Sequence, residues 1–277
     1  MFGKRQGLFV KVVIFLAVFL LFLVSGVLFC GQTAAADRGS AAYCVCPETG
    51  EVFCAENEKA RLPMASTTKV MTALIVSENC LPDEVVHVTS DTVGVEGSSI
   101  YLKTGERFTV RELLYGLMLR SGNDAAETLA KHCAGSVEKF VDMMNEYAVS
   151  LGAKDTHFVN PHGLHDKNHY TSARDLAVIS CAAMKNKLFR EVVSTKFIKV
   201  GSGENTRYWS NKNRILTTFE GGNGIKTGFT KDAGRCLVAS ATREGKTVIA
   251  VVLNHYDMFS DCKTMMERAF SAMKTPS

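Results

Sequence analysis

The chain has no run of lysine and arginine interleaved with aromatic residues, and no Cys-x-x-Cys pair. Between residues 37 and 277 it also has no internal repeat and no low-complexity linker. The first absence removes the usual footprint of a nucleic-acid partner. The second removes the spacing of zinc and redox sites, since Cys44 and Cys46 enclose a single residue. The third leaves about 240 residues for one large domain or two interleaved lobes. Strong net charge is missing too. The chain carries 32 Lys+Arg against 28 Asp+Glu, and Lys4, Arg5 and Lys11 stand in the first thirty-six residues, which leaves 29 against 28. The basic surplus therefore belongs to the N-terminus.

That N-terminus has the composition of a targeting segment. The three cations lead into an apolar run, Val12 to Phe29, interrupted only by Ser25 and Gly26, and Ala34-Ala35-Ala36 supplies small residues for cleavage. Residues 1–36 are expected to be a secretory signal, with an N-terminal membrane anchor as the alternative. Export to the cell wall, the periplasmic space or the medium follows, and residues 37–277 form the functional domain. Bulky Phe29 before Cys30 argues against a lipidated cysteine. Eight cysteines follow the signal. They read mostly as packing residues, as Cys181 does in Val178-Ile179-Ser180-Cys181-Ala182, with one or two disulfides left open. The oligomeric state is not legible.

Hydrophobic periodicity divides the rest. Ala41–Cys46 and Glu51–Ala55 read as a hairpin, and Ser66–Ser77 as a helix. Thr109-Val110-Arg111-Glu112 is a capping box opening Val110–Leu119, and Asp124–His132 continues after a break. Ser136 caps a helix to Leu151, and Ser172 one to about Lys187. Strands follow at Lys196–Val200, Thr206–Ser210, Ile225–Thr230, Arg235–Ala241 and Thr247–Leu253, then a helix from about Asp261 to Met273. Strands at both ends around a helical middle predict an α+β fold. Its antiparallel sheet is flanked by helices, with an inserted all-helical lobe at about residues 90–190.

Three short motifs fall where a cleft between such lobes would lie. Ser66-Thr67-Thr68-Lys69 puts an amine one helical turn from a hydroxyl. A serine is a weak nucleophile until a neighbour takes its proton, and a lysine does so only when neutral, which needs burial or a nearby positive charge. Ser121-Gly122-Asn123 lies in the break between two helices. Lys226-Thr227-Gly228 lies on a strand, where glycine admits a second backbone. Each motif alone has a plain reading: a helix cap, a polar turn, a strand with a surface lysine. In this order, at intervals of 55 and 105 residues, they form the set known from β-lactamases and penicillin-binding proteins.

The flanking residues resemble the serine D-alanyl-D-alanine carboxypeptidases, the low-molecular-weight penicillin-binding proteins. The resemblance rests on Pro63 to Ala73, Leu119 to Ala126, Phe158 to Leu164 with Tyr170 to Leu176, and Gly224 to Arg235. It implies the β-lactamase/DD-peptidase-like fold, with Ser66 as nucleophile, Lys69 as its base and Ser121 as a proton relay. It further implies Asn123, Lys226, Thr227, Gly228 and Phe229 as substrate-binding residues, with the backbone N–H groups of Ser66 and Phe229 as the oxyanion hole. The implied partners are peptidoglycan stem peptides ending in D-Ala-D-Ala and β-lactams as covalent inhibitors, with no cofactor and no metal. An arginine that some relatives place before the last helix has no clear match near Phe259–Asp261.

Rival readings use the same residues. A β-lactamase of the commonest class needs a glutamate followed four residues later by asparagine. None of Glu127, Glu138, Glu146, Glu191, Glu204 and Glu220 has one. A D,D-endopeptidase and a non-catalytic penicillin sensor remain alternatives. The histidines at 157, 162, 165 and 169 read as loop residues rather than metal ligands, with His162 bracing the loop beneath the cleft.

Overall fold

Strands β1 (Ala41–Val45) and β2 (Val52–Glu56) open the fold as the expected hairpin. Gly50 takes a left-handed φ of 73° and returns its N–H to the Cys46 carbonyl. The computed structural model describes residues 39–201 and 206–274, so the expected secretory segment, 1–36, lies outside them. After a long helical excursion the chain returns as β7 (Gly222–Thr230), β8 (Gly234–Arg243) and β9 (Lys246–Leu253). The sheet order is β2-β1-β9-β8-β7, antiparallel throughout. The first and last strands of the chain thus pair with each other, Tyr43 opposite Val251, and β7 is left at an edge.

Both faces of this sheet are covered, which explains why β9 reads as a nearly unbroken apolar run. Cys44, Leu237, Ala239, Ala250 and Val252 pack on one side against Met266, Ala269 and Phe270 of the last helix, which runs Met258–Lys274. Val238, Ile249, Val251 and Leu253 belong to the larger cluster on the helical side. Each fully buried side chain of this size contributes about 1.5–3 kcal/mol.

The helical part centres on α1 (Lys69–Asn79), whose residues from Lys69 to Val76 are all buried. Around it lie α2 (Val110–Tyr115), α3 (Asn123–Ala134), α4 (Val137–Ser150), α5 (Ala173–Ala183) and α6 (Lys187–Ser194). The sequence-read caps are present. Thr109 and Glu112 form the capping box, Ser136 accepts from Lys139 N–H at 3.2 Å, and Ser172 accepts from Asp175 N–H at 3.1 Å.

Three local features differ from the sequence reading. The helix expected from Ser66 opens instead as a 3-10 turn, Ala65–Thr68, before α1. The helix expected to reach Lys187 stops at Ala183, because Asn186 accepts from Phe189 N–H at 3.0 Å and starts α6 anew. The pairs β3 (Val85–His87) with β4 (Arg107–Thr109) and β5 (Phe197–Val200) with β6 (Arg207–Ser210) form separate two-stranded sheets. The first of these, with its three-residue strands, is too short to leave a periodic signal. All eight described cysteines are free thiols. Among the described residues, no helix is long and apolar enough to cross a membrane.

Candidate active site

The edge strand β7 lies against the turn that carries Ser66. A Cβ on Gly228 would stand 3.1 Å from Met64 O, Ser66 N and Thr67 N, tighter than an ordinary contact, so glycine eases the strand's close approach. Ser66 itself is half-buried, between fully buried Ala65 and Thr67.

Lys69 is the first residue of α1 and is completely buried. Its Nζ lies 3.1 Å from Ser66 Oγ, 2.7 Å from Asn123 Oδ1 and 2.6 Å from the His162 carbonyl. Burial, and then the positive charge of Lys226, pull its pKa well below the usual lysine range. The three contacts decide what the neutral amine does. Asn123 Oδ1 and the His162 carbonyl can only accept, and the amide is held in that orientation because its Nδ2 donates to Glu96 O at 2.6 Å. A neutral amine has two N–H donors and one lone pair. The donors go to the two obligate acceptors, and the lone pair is left facing the one partner that can give a proton, Ser66.

The second motif follows a π-helical turn, Gly116–Arg120, at the end of α2. Ser121 is left-handed (φ 69°) and 5 % exposed, and no hydrogen bond joins it to Lys69. Asn123 is joined to Lys69, and one of its two amide hydrogens remains beyond the bond to Glu96 O. In the third motif Lys226 is buried and its Nζ donates to Thr227 O at 2.9 Å. Burial, then Lys212, lower its pKa to about 7. Thr227 is half-buried, and Phe229 is 66 % exposed at the strand edge.

Several participants had no site role assigned from the sequence. Asp124, nearly fully buried, accepts from Ser99 Oγ at 2.6 Å and from the N–H groups of Ile100, Leu102 and Ala125, which fixes the 99–102 loop against the second motif. Glu127 lies one turn after Asn123 on α3, and its carboxylate meets His162 Nε2 at 3.0 Å. Helix α3 therefore holds Lys69 twice, directly through Asn123 and through the residue whose carbonyl is the third partner. The i, i+4 spacing of Asn123 and Glu127 is visible in the sequence, but the partner across the cleft is not. Lys212 is a further cation near both Lys69 and Lys226.

The four loop histidines face different partners. His157 Nδ1 meets Asn168 O, His162 meets Glu127, and His165 lies 4.0 Å from Asp232. His169 receives Val159 N–H on Nδ1, which places its own proton on Nε2, toward Thr68 Oγ1 at 2.8 Å. Burial holds His169 neutral, its pKa lowered to about 3.

Known proteins resemble the chain across this whole region. A family profile described as D-alanyl-D-alanine carboxypeptidase, peptidase S11, matches residues 32–257. The D-alanyl-D-alanine carboxypeptidase of Streptomyces sp. strain K15 is 41 % identical over 223 residues, covering 74 % of this chain and 77 % of that protein. DacF of Bacillus subtilis is 34 % identical over 249 residues, 87 % of this chain and 64 % of the relative. DacA of Escherichia coli is 34 % identical over 221 residues, 74 % of this chain and 53 % of the relative. The chain thus spans about half to three quarters of these curated relatives. The crystal structure of the Streptomyces K15 DD-transpeptidase superposes with a TM-score of 0.80 at 36 % identity, covering 87 % of this chain and 99 % of that one. With the family profile spanning most of the chain and the fold shared with a DD-peptidase, the chain belongs to the D-alanyl-D-alanine carboxypeptidase family, peptidase S11.

Proposed function

We propose that the chain is a serine-type D-alanyl-D-alanine carboxypeptidase that removes the terminal D-alanine from peptidoglycan stem peptides through an acyl-enzyme on Ser66. The observation that carries this reading is the Lys69 amine, fully buried between two obligate acceptors, with its remaining position on Ser66 Oγ at 3.1 Å. In the reaction Ser66 Oγ attacks the carbonyl between the two D-alanines while its proton passes to Lys69. The oxyanion is received by the backbone N–H groups of Ser66 and Phe229. Ser121 passes a proton to the departing amine, Asn123 offers its spare amide hydrogen to the peptide, and Lys226 with Thr227 holds the terminal carboxylate. Water then hydrolyses the ester. Residues 37–277 would form the catalytic domain, exported by the 1–36 segment, so that the enzyme acts outside the cytoplasm.

The test is direct. Full-length protein incubated with a pentapeptide stem should release one equivalent of D-alanine per peptide, and labelled benzylpenicillin should appear by peptide mass spectrometry on Ser66. Penicillin turnover within seconds would favour a β-lactamase, cleavage only of cross-linked dimers an endopeptidase, and acylation without peptide release a sensor. The Streptomyces relative is named both as a carboxypeptidase and as a transpeptidase, so products should also be scored with an added amine acceptor.

The two lysines predict a bell-shaped pH profile. Lys69 must be neutral to accept a proton, so activity is lost as pH falls through its depressed pKa. Lys226 must be charged to hold a carboxylate. In the free enzyme that charge is present below about 7 and disappears as pH rises through it. The plot of kcat/KM, which reports the free enzyme, is therefore expected to decline above about pH 7. The kcat limb should lie at higher pH, because a bound carboxylate favours charged Lys226. A kcat/KM plateau reaching pH 9 would contradict the assignment of Lys226.

A further inference from the structure

Helices α1 and α3 pack against each other and meet at their first residues, where Lys69 Nζ lies 2.7 Å from Asn123 Oδ1. Cys80 stands eleven residues beyond Lys69, and Cys133 ten beyond Asn123. At about 1.5 Å of rise per residue, both cysteines lie about 15–16 Å along their helices from that contact, at matching levels. The far ends meet as the starts do. The Cys80 thiol donates to the Cys133 sulfur, and both side chains pack at the margin of the main core while staying partly exposed. Alongside them His132 Nε2 lies 3.2 Å from Glu84 Oε1, so the residue before Cys133 is held to the segment that follows Cys80. That segment is itself fixed, since Pro82 O and Glu84 O accept from Arg111 N–H and Val110 N–H at 2.9 and 3.0 Å.

The other described cysteines are placed differently. Cys44, Cys46, Cys236 and Cys262 are buried. Cys44 stands opposite Cys54 across β1 and β2, but burial pushes its thiol up to about 12, and the thiols of Cys181 and Cys236 are pushed equally high. Only the thiolate attacks a disulfide, so these groups are slow to exchange. Cys133 is shifted the other way, because the hydrogen bond from Cys80 lowers its pKa.

We propose that Cys80 and Cys133 form a disulfide once the chain meets oxidising conditions outside the cytoplasm, bracing the far ends of the two helices that supply Lys69 and Asn123. The inference rests on the export part of the functional reading. The oxidant is an external small-molecule disulfide. The Cys133 thiolate attacks one of its sulfurs and breaks its S–S bond, and the released thiolate takes up a proton. Cys80 then loses its proton, attacks the Cys133 sulfur of the mixed disulfide and expels the second external thiol. Two protein thiols are oxidised, and one external disulfide is reduced to two thiols. The bond closes a loop of roughly fifty residues that includes the second motif.

The test uses the full chain, reduced, equilibrated with oxidised glutathione, alkylated in denaturant and digested without reduction for mass spectrometry. A peptide pair joined through Cys80 and Cys133 should be the main cross-link, with the buried cysteines recovered as alkylated thiols. Oxidation should raise the melting temperature by about 5–15 °C. The Cys80→Ser/Cys133→Ser double variant should show no such rise. Benzylpenicillin should acylate Ser66 within about twofold of the same rate in both redox states at room temperature, because the bond lies about 15 Å from the Lys69–Asn123 contact. Recovery of Cys80 and Cys133 as alkylated thiols, a different main pair such as Cys44 with Cys54, or glutathione left on Cys133 would overturn the pairing. A link that leaves the melting temperature unchanged would overturn the brace. Wild type that takes no penicillin in either redox state would instead overturn the carboxypeptidase reading, and retention of the chain in the cytoplasm the export reading. In both of those cases the cross-link in glutathione still decides the pairing.

Discussion

Replacing Lys69 by methionine is expected to slow acylation by benzylpenicillin by a factor of about 10³–10⁴ and to remove measurable D-alanine release. A positioned general base contributes about 10²–10⁴, and here the same amine also orients Ser66 Oγ at 3.1 Å. Methionine nearly matches the lysine stem in length, so the buried channel stays filled. Two effects on stability oppose each other. The desolvation cost of the amine disappears, while Asn123 Oδ1 and the His162 carbonyl lose their donor, at about 1–3 kcal/mol each. The melting temperature should consequently shift far less than the rate, and calorimetry alongside stopped-flow labelling separates the two. Lys69→Arg sharpens the point. A guanidinium keeps a positive charge near Ser66 but cannot be deprotonated. If Lys69 served only to stabilise negative charge, arginine would retain much of the activity. If it accepts the serine proton, arginine should be as inactive as methionine. Labelling of either variant at the wild-type rate would remove Lys69 from the mechanism.

The same electrostatic logic explains why two buried lysines are tolerated so close together. Charged Lys226 helps keep Lys69 neutral, since a like charge nearby disfavours protonation, and Lys212 acts in the same way on Lys226. When a peptide carboxylate enters, it favours charge on Lys226. Charged Lys226 then presses harder on Lys69 to stay neutral. On the proposed assignment of Lys226 and Lys69, binding of the correct terminus would help prepare the base, and a peptide amide, lacking that carboxylate, would forgo this benefit as well as its own contact.

The parts of this arrangement that local sequence encodes were legible in advance. Thr109 and Glu112 form a capping box because both halves lie within one turn, and the alternating strands around Lys226 follow from β-branched composition. The order of the three motifs indicated that Ser66, Lys69, Asn123 and Lys226 share a site. The contacts that tune the site were not legible, because their partners are remote in the chain. Lys69 meets a carbonyl 93 residues away, at His162, and the identity of a residue says nothing about where its carbonyl points. Asp124 looked like part of a motif flank, yet its carboxylate organises a loop 22 to 25 residues earlier. Lys212 belongs to no motif and is placed by the end of β6. The short 3-10 turn at Ala65–Thr68 was hidden as well, since its four residues satisfy the same pattern as the helix they precede.

Among the described glycines, Gly163→Ala is expected to be the most damaging added methyl, and the reason lies in what the 160–164 loop touches. Gly163 has φ of 95°, and a Cβ built there would fall inside the van der Waals surface of the Ala65 carbonyl and 2.9 Å from Thr68 Oγ1. That carbonyl accepts from Thr68 Oγ1 at 2.8 Å, and Thr68 is in turn held by His169. The clash therefore cannot be relieved by rotating a side chain. Either the Ser66 turn or the loop must move, and moving the loop withdraws the His162 carbonyl from Lys69. Backbone strain at a left-handed position costs about 1–2 kcal/mol alone, and overpacking adds about 1–3 kcal/mol. A loss of about 2–5 kcal/mol is expected, with benzylpenicillin acylation falling well beyond what reduced folding explains. Gly152→Ala separates the two contributions, because Gly152 has a comparable φ of 77° and nothing within 4 Å of its added methyl. That variant should lose only the backbone part and retain full acylation. Equal stability losses in the two variants would show that the contact between the loop and the Ser66 turn is not what requires glycine at 163.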